Sequence, residues 1–136
     1  MLRWLLTLVL LLPNAATAQL QISDAWIKHL PASVKVRAGY LTLYNPHPRD
    51  VALQSVHSQA FHHIEVHQTV EQDGLMQMQQ IPQLMIEAKS GVQLSPGGLH
   101  LMMMRPATEL APGDLVTITF EFTDGNQQSF DMIVKE

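Results

Sequence analysis

Not one of the 136 residues is cysteine, which removes disulfides, thiolate-ligated zinc, a blue-copper centre with its cysteine ligand, and a thiol for lipid attachment. Basic residues are scarce and unclustered: 8 Lys and Arg stand against 12 Asp and Glu, for a formal charge of −4. Nucleic acid is therefore not an expected partner. Motifs of hydrolytic or phosphoryl-transfer chemistry are missing as well, with no Gly-x-Ser-x-Gly elbow, phosphate loop or His-Glu-x-x-His helix. The acidic residues are scattered, and the chain is not expected to be an enzyme. Sulfur for a soft metal must then come from methionine, which forms no disulfide. The sequence holds 8 methionines and 7 histidines.

The N-terminal stretch reads as a secretory signal spanning residues 1–18. Arg3 supplies a positive charge, Trp4 to Leu12 is an apolar run, Pro13 and Asn14 interrupt it, and Ala16-Thr17-Ala18 is a small-x-small cleavage site. That run is shorter than the roughly 20 residues that span a bilayer, and nothing later comes close, so no membrane span is expected in the mature chain. An uncleaved anchor is the competing interpretation. Residues 19–136 are expected to form one domain located in the bacterial periplasm. A chain of this size buries enough surface to fold without disulfides or structural metal.

From Gln19 onward, apolar and polar residues alternate and the 3.6-residue repeat of an amphipathic helix is rare. Strands are expected at Ile22 to His29, Val36 to Tyr44, Val51 to His57, His62 to Val70, Leu75 to Ile81, Gly91 to Leu94, Leu99 to Arg105, Leu115 to Phe122 and Ser129 to Val134. Turn chemistry separates them, including Asn45-Pro46-His47-Pro48, Asp73-Gly74, Ser95-Pro96-Gly97-Gly98 and Pro112-Gly113-Asp114. Short strands with such turns predict an all-β fold, an antiparallel Greek-key barrel or sandwich.

Four side chains fall at spacings that strands can bring together: His67, Met78 after ten residues, His100 after twenty-one more, and Met102. Imidazole nitrogen with thioether sulfur suits copper, and Cu(I) above all. The hairpin decides whether they meet. A four-residue loop from Glu71 to Gly74 would set His67 directly opposite Met78. A two-residue Asp73-Gly74 turn would pair Met78 with Thr69, leaving it on the same face as His67 but diagonally offset. A three-residue loop without a bulge would send Met78 to the other face. His100 and Met102, two apart, share a face in any register.

Each residue also has an ordinary explanation. Methionine on a strand often fills core gaps, and single histidines are commonly surface groups. His63 and Glu65 alternate onto the face of His67, where they would orient a ligand, add a donor, or form a solvated surface. Met76 should share the face of Met78, and Met104 that of Met102, as transfer aids or as edge packing. Met103 points the other way and is expected in the core.

The His67, Met78, His100, Met102 spacing resembles the motif of periplasmic copper chaperones of PCu(A)C type. Further landmarks appear in order: Asp24-Ala25-Trp26, Arg37-Ala38-Gly39-Tyr40, Asn45-Pro46, Glu65-Val66-His67, Asp73-Gly74-Leu75-Met76-Gln77-Met78, Pro96-Gly97-Gly98-Leu99-His100-Leu101-Met102 and Pro112-Gly113-Asp114. The resemblance covers most of the mature chain. It implies a cupredoxin-like barrel whose solvent-accessible site binds Cu(I), with Cu(II) as an alternative state, through His67, Met78, His100 and Met102. It also implies transfer of the copper ion to a respiratory oxidase subunit or another copper-assembly protein, toward the dinuclear copper centre of cytochrome c oxidase. Some members carry a His- and Met-rich C-terminal tail. Only Met132 lies near the end of this sequence, so no second, tail-borne site is expected.

Other functions remain open on the residues alone. A copper storage or resistance binder would use the same donors. A zinc site would need Glu65 with His67 and His100, since thioether is a poor zinc ligand. A metal-free β-sandwich interaction module would use the methionines only as apolar surface.

Overall fold

Ten β-strands and no helix make up the described residues, 19–136, of the computed structural model. The expected signal, residues 1–18, lies outside the described residues. The strands are β1 (Gln21–Lys28), β2 (Val36–Asn45), β3 (Val51–His57), β4 (Phe61–Gln72), β5 (Leu75–Gln80), β6 (Leu84–Ile86), β7 (Ser90–Leu94), β8 (Leu99–Pro106), β9 (Leu115–Phe122) and β10 (Gln127–Lys135). Among the described residues no helix is long and apolar enough to cross a membrane.

Hydrogen-bonded neighbours run β4-β8-β2-β1-β10-β9-β3, and a contact between Val56 of β3 and Ile64 of β4 returns the path to its start. Seven strands thus close a barrel, while β5, β6 and β7 attach to β4, β3 and β2. The all-β barrel expected from the alternating pattern is the observed one. One pairing departs from a purely antiparallel sheet: β1 and β10 run parallel, with Trp26 beside Ile133. The short strand β6 was not expected. Leu84-Met85-Ile86 is too brief to show an alternation, yet Leu84 and Ile86 are buried and the strand pairs with β3.

Alternation fills the interior. Ile27, Leu41, Leu43, Ile64, Val66, Leu101, Met103, Ile118, Phe120, Met132 and Val134 all point into the core. Met103 is fully buried, as its parity predicted. Asn45 is a polar residue within this interior, a fully buried amide. Its Nδ2 donates to the carbonyls of Arg49 at 2.7 Å and Ile86 at 3.1 Å, and its Oδ1 accepts from the His47 amide at 3.0 Å. Those bonds tie the Pro46–Pro48 turn to β6 and satisfy the amide where water cannot.

Two features shape the wall that runs from β8 through β2 to β1. Gly39 lets β2 lie close to β8: a Cβ there would stand 3.0 Å from the Met103 sulfur and 3.3 Å from Leu101 Cβ. A bulge between Ser23 and Trp26 adds a residue to β1, with Asp24 at positive φ, and places Trp26 opposite Tyr40. The two rings pack with centroids 4.9 Å apart.

Candidate metal centre

Strand β4 changes partners along its length. It meets β3 at Ile64, and from His67 onward the same edge pairs with β5. Its other edge pairs with β8 throughout, from Phe61 opposite Pro106 to Gln68 opposite Leu99. A cleft of about 120 Å³ opens at the change-over, lined in part by His63, Glu65, Gln80 and Pro82.

The β4–β5 hairpin closes through the two-residue turn Asp73-Gly74. Both residues adopt positive φ, 53° and 76°, and Gln72 pairs with Leu75. This is the dipeptide chemistry of a primed turn, whose twist matches the flanking strands. The four-residue alternative is overturned: His67 lies opposite Gln80, and Met78 lies opposite Thr69. Met78 therefore occupies the diagonal position beside His67, where a long side chain still reaches across.

On the other side, His67 pairs directly with His100, and Glu65 with Met102. The register thus sets His67, Met78, His100 and Met102 on one outer face. The imidazole pair is central, Met78 lies one two-residue step toward the hairpin turn, and Met102 one step the other way. His63 and Met104 form the next pair on that face. Beneath it, Val66 pairs with Leu101 and Ile64 with Met103, all buried.

Burial is uneven across these residues. His100 is 6% exposed, whereas Met78 is 59% exposed. The rings of His67 and His100 have centroids 6.1 Å apart and planes tilted by 37°. His100 Nδ1 lies 3.1 Å from the Gly98 carbonyl oxygen. A carbonyl only accepts, so Nδ1 carries the hydrogen and Nε2 of the neutral ring holds the lone pair. His67 Nε2 lies 2.6 Å from Glu65 Oε2. The carboxyl of Glu65 is held below its ordinary range, first by the hydrogen bond from His67, which burial opposes, and then by the hydrogen bond from His63 and the charge of both histidines. Facing that carboxylate, Nε2 of His67 carries the hydrogen, which in the neutral ring leaves the lone pair on Nδ1.

The two lone-pair nitrogens, His67 Nδ1 and His100 Nε2, are both buried without any hydrogen-bond partner among the described residues. Leaving a buried polar atom unpaired costs about 1–3 kcal/mol, so two on facing rings need a reason. Coordination of a metal ion would supply the missing partner for each. Glu65 is engaged by His63 and His67, and neither bond goes to those two nitrogens. Among the described residues, no group of three or more His, Asp or Glu side chains is arranged to hold a metal. The zinc arrangement of Glu65, His67 and His100 is therefore not assembled. A soft ion using nitrogen and thioether fits the residues that are there.

On the sequence alone Glu65 has three candidate roles, and Gly98 stands only as part of the turn before His100. The bond to Glu65 depends on a side-chain conformation, although the Glu-x-His spacing puts both groups on one face. The backbone contact of His100 belongs to the turn before β8, whose Gly98 amide closes back on the Ser95 carbonyl.

A family model described as "Putative lipoprotein LpqE-like" matches residues 20–134. "Uncharacterized protein RP573" of Rickettsia prowazekii (strain Madrid E) is 30% identical over 117 residues, and the match spans 83% of this chain but only 65% of that protein. "Putative lipoprotein Lxx21020" of Leifsonia xyli subsp. xyli is 28% identical over 125 residues, 91% of this chain and 74% of that one. Among solved structures, the copper-bound PCuAC domain from PmoF2 superposes with a TM-score of 0.72 at 18% identity, over 85% of this chain and 92% of that one. The solution structure of CuI-DR1885 from Deinococcus radiodurans gives 0.68 at 28% identity, over 82% and 74%. The chain belongs to the LpqE-like family, and it has the fold of the PCuAC domains.

Proposed function

We propose that this protein is a copper chaperone of the periplasm. It binds one Cu(I) through His67 Nδ1, His100 Nε2 and the thioethers of Met78 and Met102, and passes the ion toward assembly of the copper centre of cytochrome c oxidase. One observation carries the reading: two facing imidazoles each present a buried, unpartnered nitrogen on a face that also carries two methionines. The copper carried by the PmoF2 domain and the Cu(I) carried by DR1885 support the choice of metal.

The chemistry is capture and release, with no covalent bond made or broken in a substrate. Thioethers coordinate without losing a proton, and neutral donors leave Cu(I) with its positive charge. Met78 extends from an exposed strand, so an acceptor's ligand can replace it while the imidazoles still hold the ion. Competition with a Cu(I) chelator under anaerobic conditions tests the reading. The wild-type protein should retain one Cu(I) per chain, and Met78→Ala/Met102→Ala and His67→Ala/His100→Ala should each lose it to the chelator. Undiminished Cu(I) binding by both double variants would overturn the assignment of these four ligands, and a wild type that holds no Cu(I) would point to the metal-free interaction module.

A further inference from the structure

Glu65 is engaged on both oxygens. Oε2 lies 2.6 Å from His67 Nε2 and Oε1 lies 2.9 Å from His63 Nε2, so three alternate residues of β4 form one chain along the outer face. The exposures are graded: the side chain of His63 is 57% accessible, Glu65 20% and His67 12%. The outer histidine thus steadies the carboxylate, which grips the inner one. The Val66 side chain between Glu65 and His67 is buried in the core, which anchors the strand that holds both.

This arrangement decides which edge of the His67 ring meets the metal. A ring rotated by half a turn would exchange the positions of its two edges and take Nε2 away from the carboxylate. The bond to Glu65 opposes that rotation and leaves Nδ1 as the only lone-pair nitrogen. His100 is held in the opposite sense, because Gly98 takes its Nδ1 and leaves Nε2 free. Hydrogen bonds of this kind orient imidazole ligands and raise their basicity.

We propose that Glu65, braced by His63, is the positioning residue of the copper site: it selects Nδ1 of His67 as donor and sets the affinity for Cu(I). This rests on the copper reading above, but its structural half can be tested without copper. In the full chain free of metal, nitrogen–proton correlation NMR on the ring of His67 should find the hydrogen on Nε2 and slow to exchange with water. Glu65→Ala should abolish that protection and weaken Cu(I) binding by roughly 10- to 100-fold. Glu65→Gln should restore most of both, because its amide oxygen can still accept from His67. Circular dichroism should show all three proteins equally folded.

A hydrogen on Nδ1 of His67 in the wild type would overturn the inference. So would an alanine variant that keeps both the slow exchange and an affinity within twofold of wild type. An affinity lost equally in the alanine and glutamine variants would overturn it too, since charge and not positioning would then be responsible. Failure of the copper reading looks different: His100→Ala would bind Cu(I) undiminished while the metal-free NMR result still decided the role of Glu65.

Discussion

The two sides of the candidate site are built differently. On the β4–β8 side, His67 and His100 stand over Val66, Leu101, Ile64 and Met103, all buried, and each ring is fixed by a hydrogen bond. On the β5 side every residue is exposed, and Met78 belongs to a strand that, among the described residues, pairs with β4 alone. A carrier has to hold its ion and also give it up. In the proposed site the fixed side would supply two imidazole nitrogens and the Met102 thioether, and the exposed side a flexible thioether within reach of a partner.

The sharpest way to break this comparison is to remove one donor from each side. His100→Ala should weaken Cu(I) binding by ~1000-fold, about 4 kcal/mol, whereas Met78→Ala should cost only ~10-fold, about 1.4 kcal/mol. Chelator competition gives both values, and equal losses would erase the distinction. Stability should follow the same division. Gly39→Ala presses a methyl group against Met103 and Leu101 beneath the fixed side, and should cost about 1–3 kcal/mol in urea unfolding. Met78→Ala, on the exposed strand, should stay within about 0.5 kcal/mol of wild type.

Amide hydrogen exchange sharpens the comparison further. Backbone amides of β5 should exchange well before those of β4 and β8, because an exposed edge strand opens locally at little cost. The smallest effect concerns acid. Glu65 titrates below its ordinary value of 4.5 in the folded protein, so its contribution to stability is present above that value and lost as pH falls through the lower, folded value. Glu65→Gln should flatten this part of the metal-free stability profile, as measured by unfolding at stepwise lower pH.

Several parts of this structure were legible in the sequence, for identifiable reasons. A two-residue spacing puts His100 and Met102 on one face whatever the pairing, and the same parity sends Met103 into the core. The hairpin was legible only up to its loop length. Asp73-Gly74 is a turn signal, but Glu71 and Gln72 suit either a strand or a loop, so the choice between Gln80 and Met78 as the neighbour of His67 awaited the observed register. The parallel pairing of β1 with β10 joins segments near the two ends of the described chain, and no local pattern encodes it. The bulge before Trp26 and the grip of Glu65 on His67 depend likewise on a backbone angle and a side-chain conformation.

X-ray absorption on protein loaded anaerobically with one equivalent of Cu(I) tests the central claim most directly. Two nitrogen and two sulfur scatterers should surround the copper in the wild type, with one sulfur lost in Met78→Ala and one nitrogen lost in His100→Ala. A shell made only of nitrogen and oxygen, or one unchanged by both substitutions, would contradict the account.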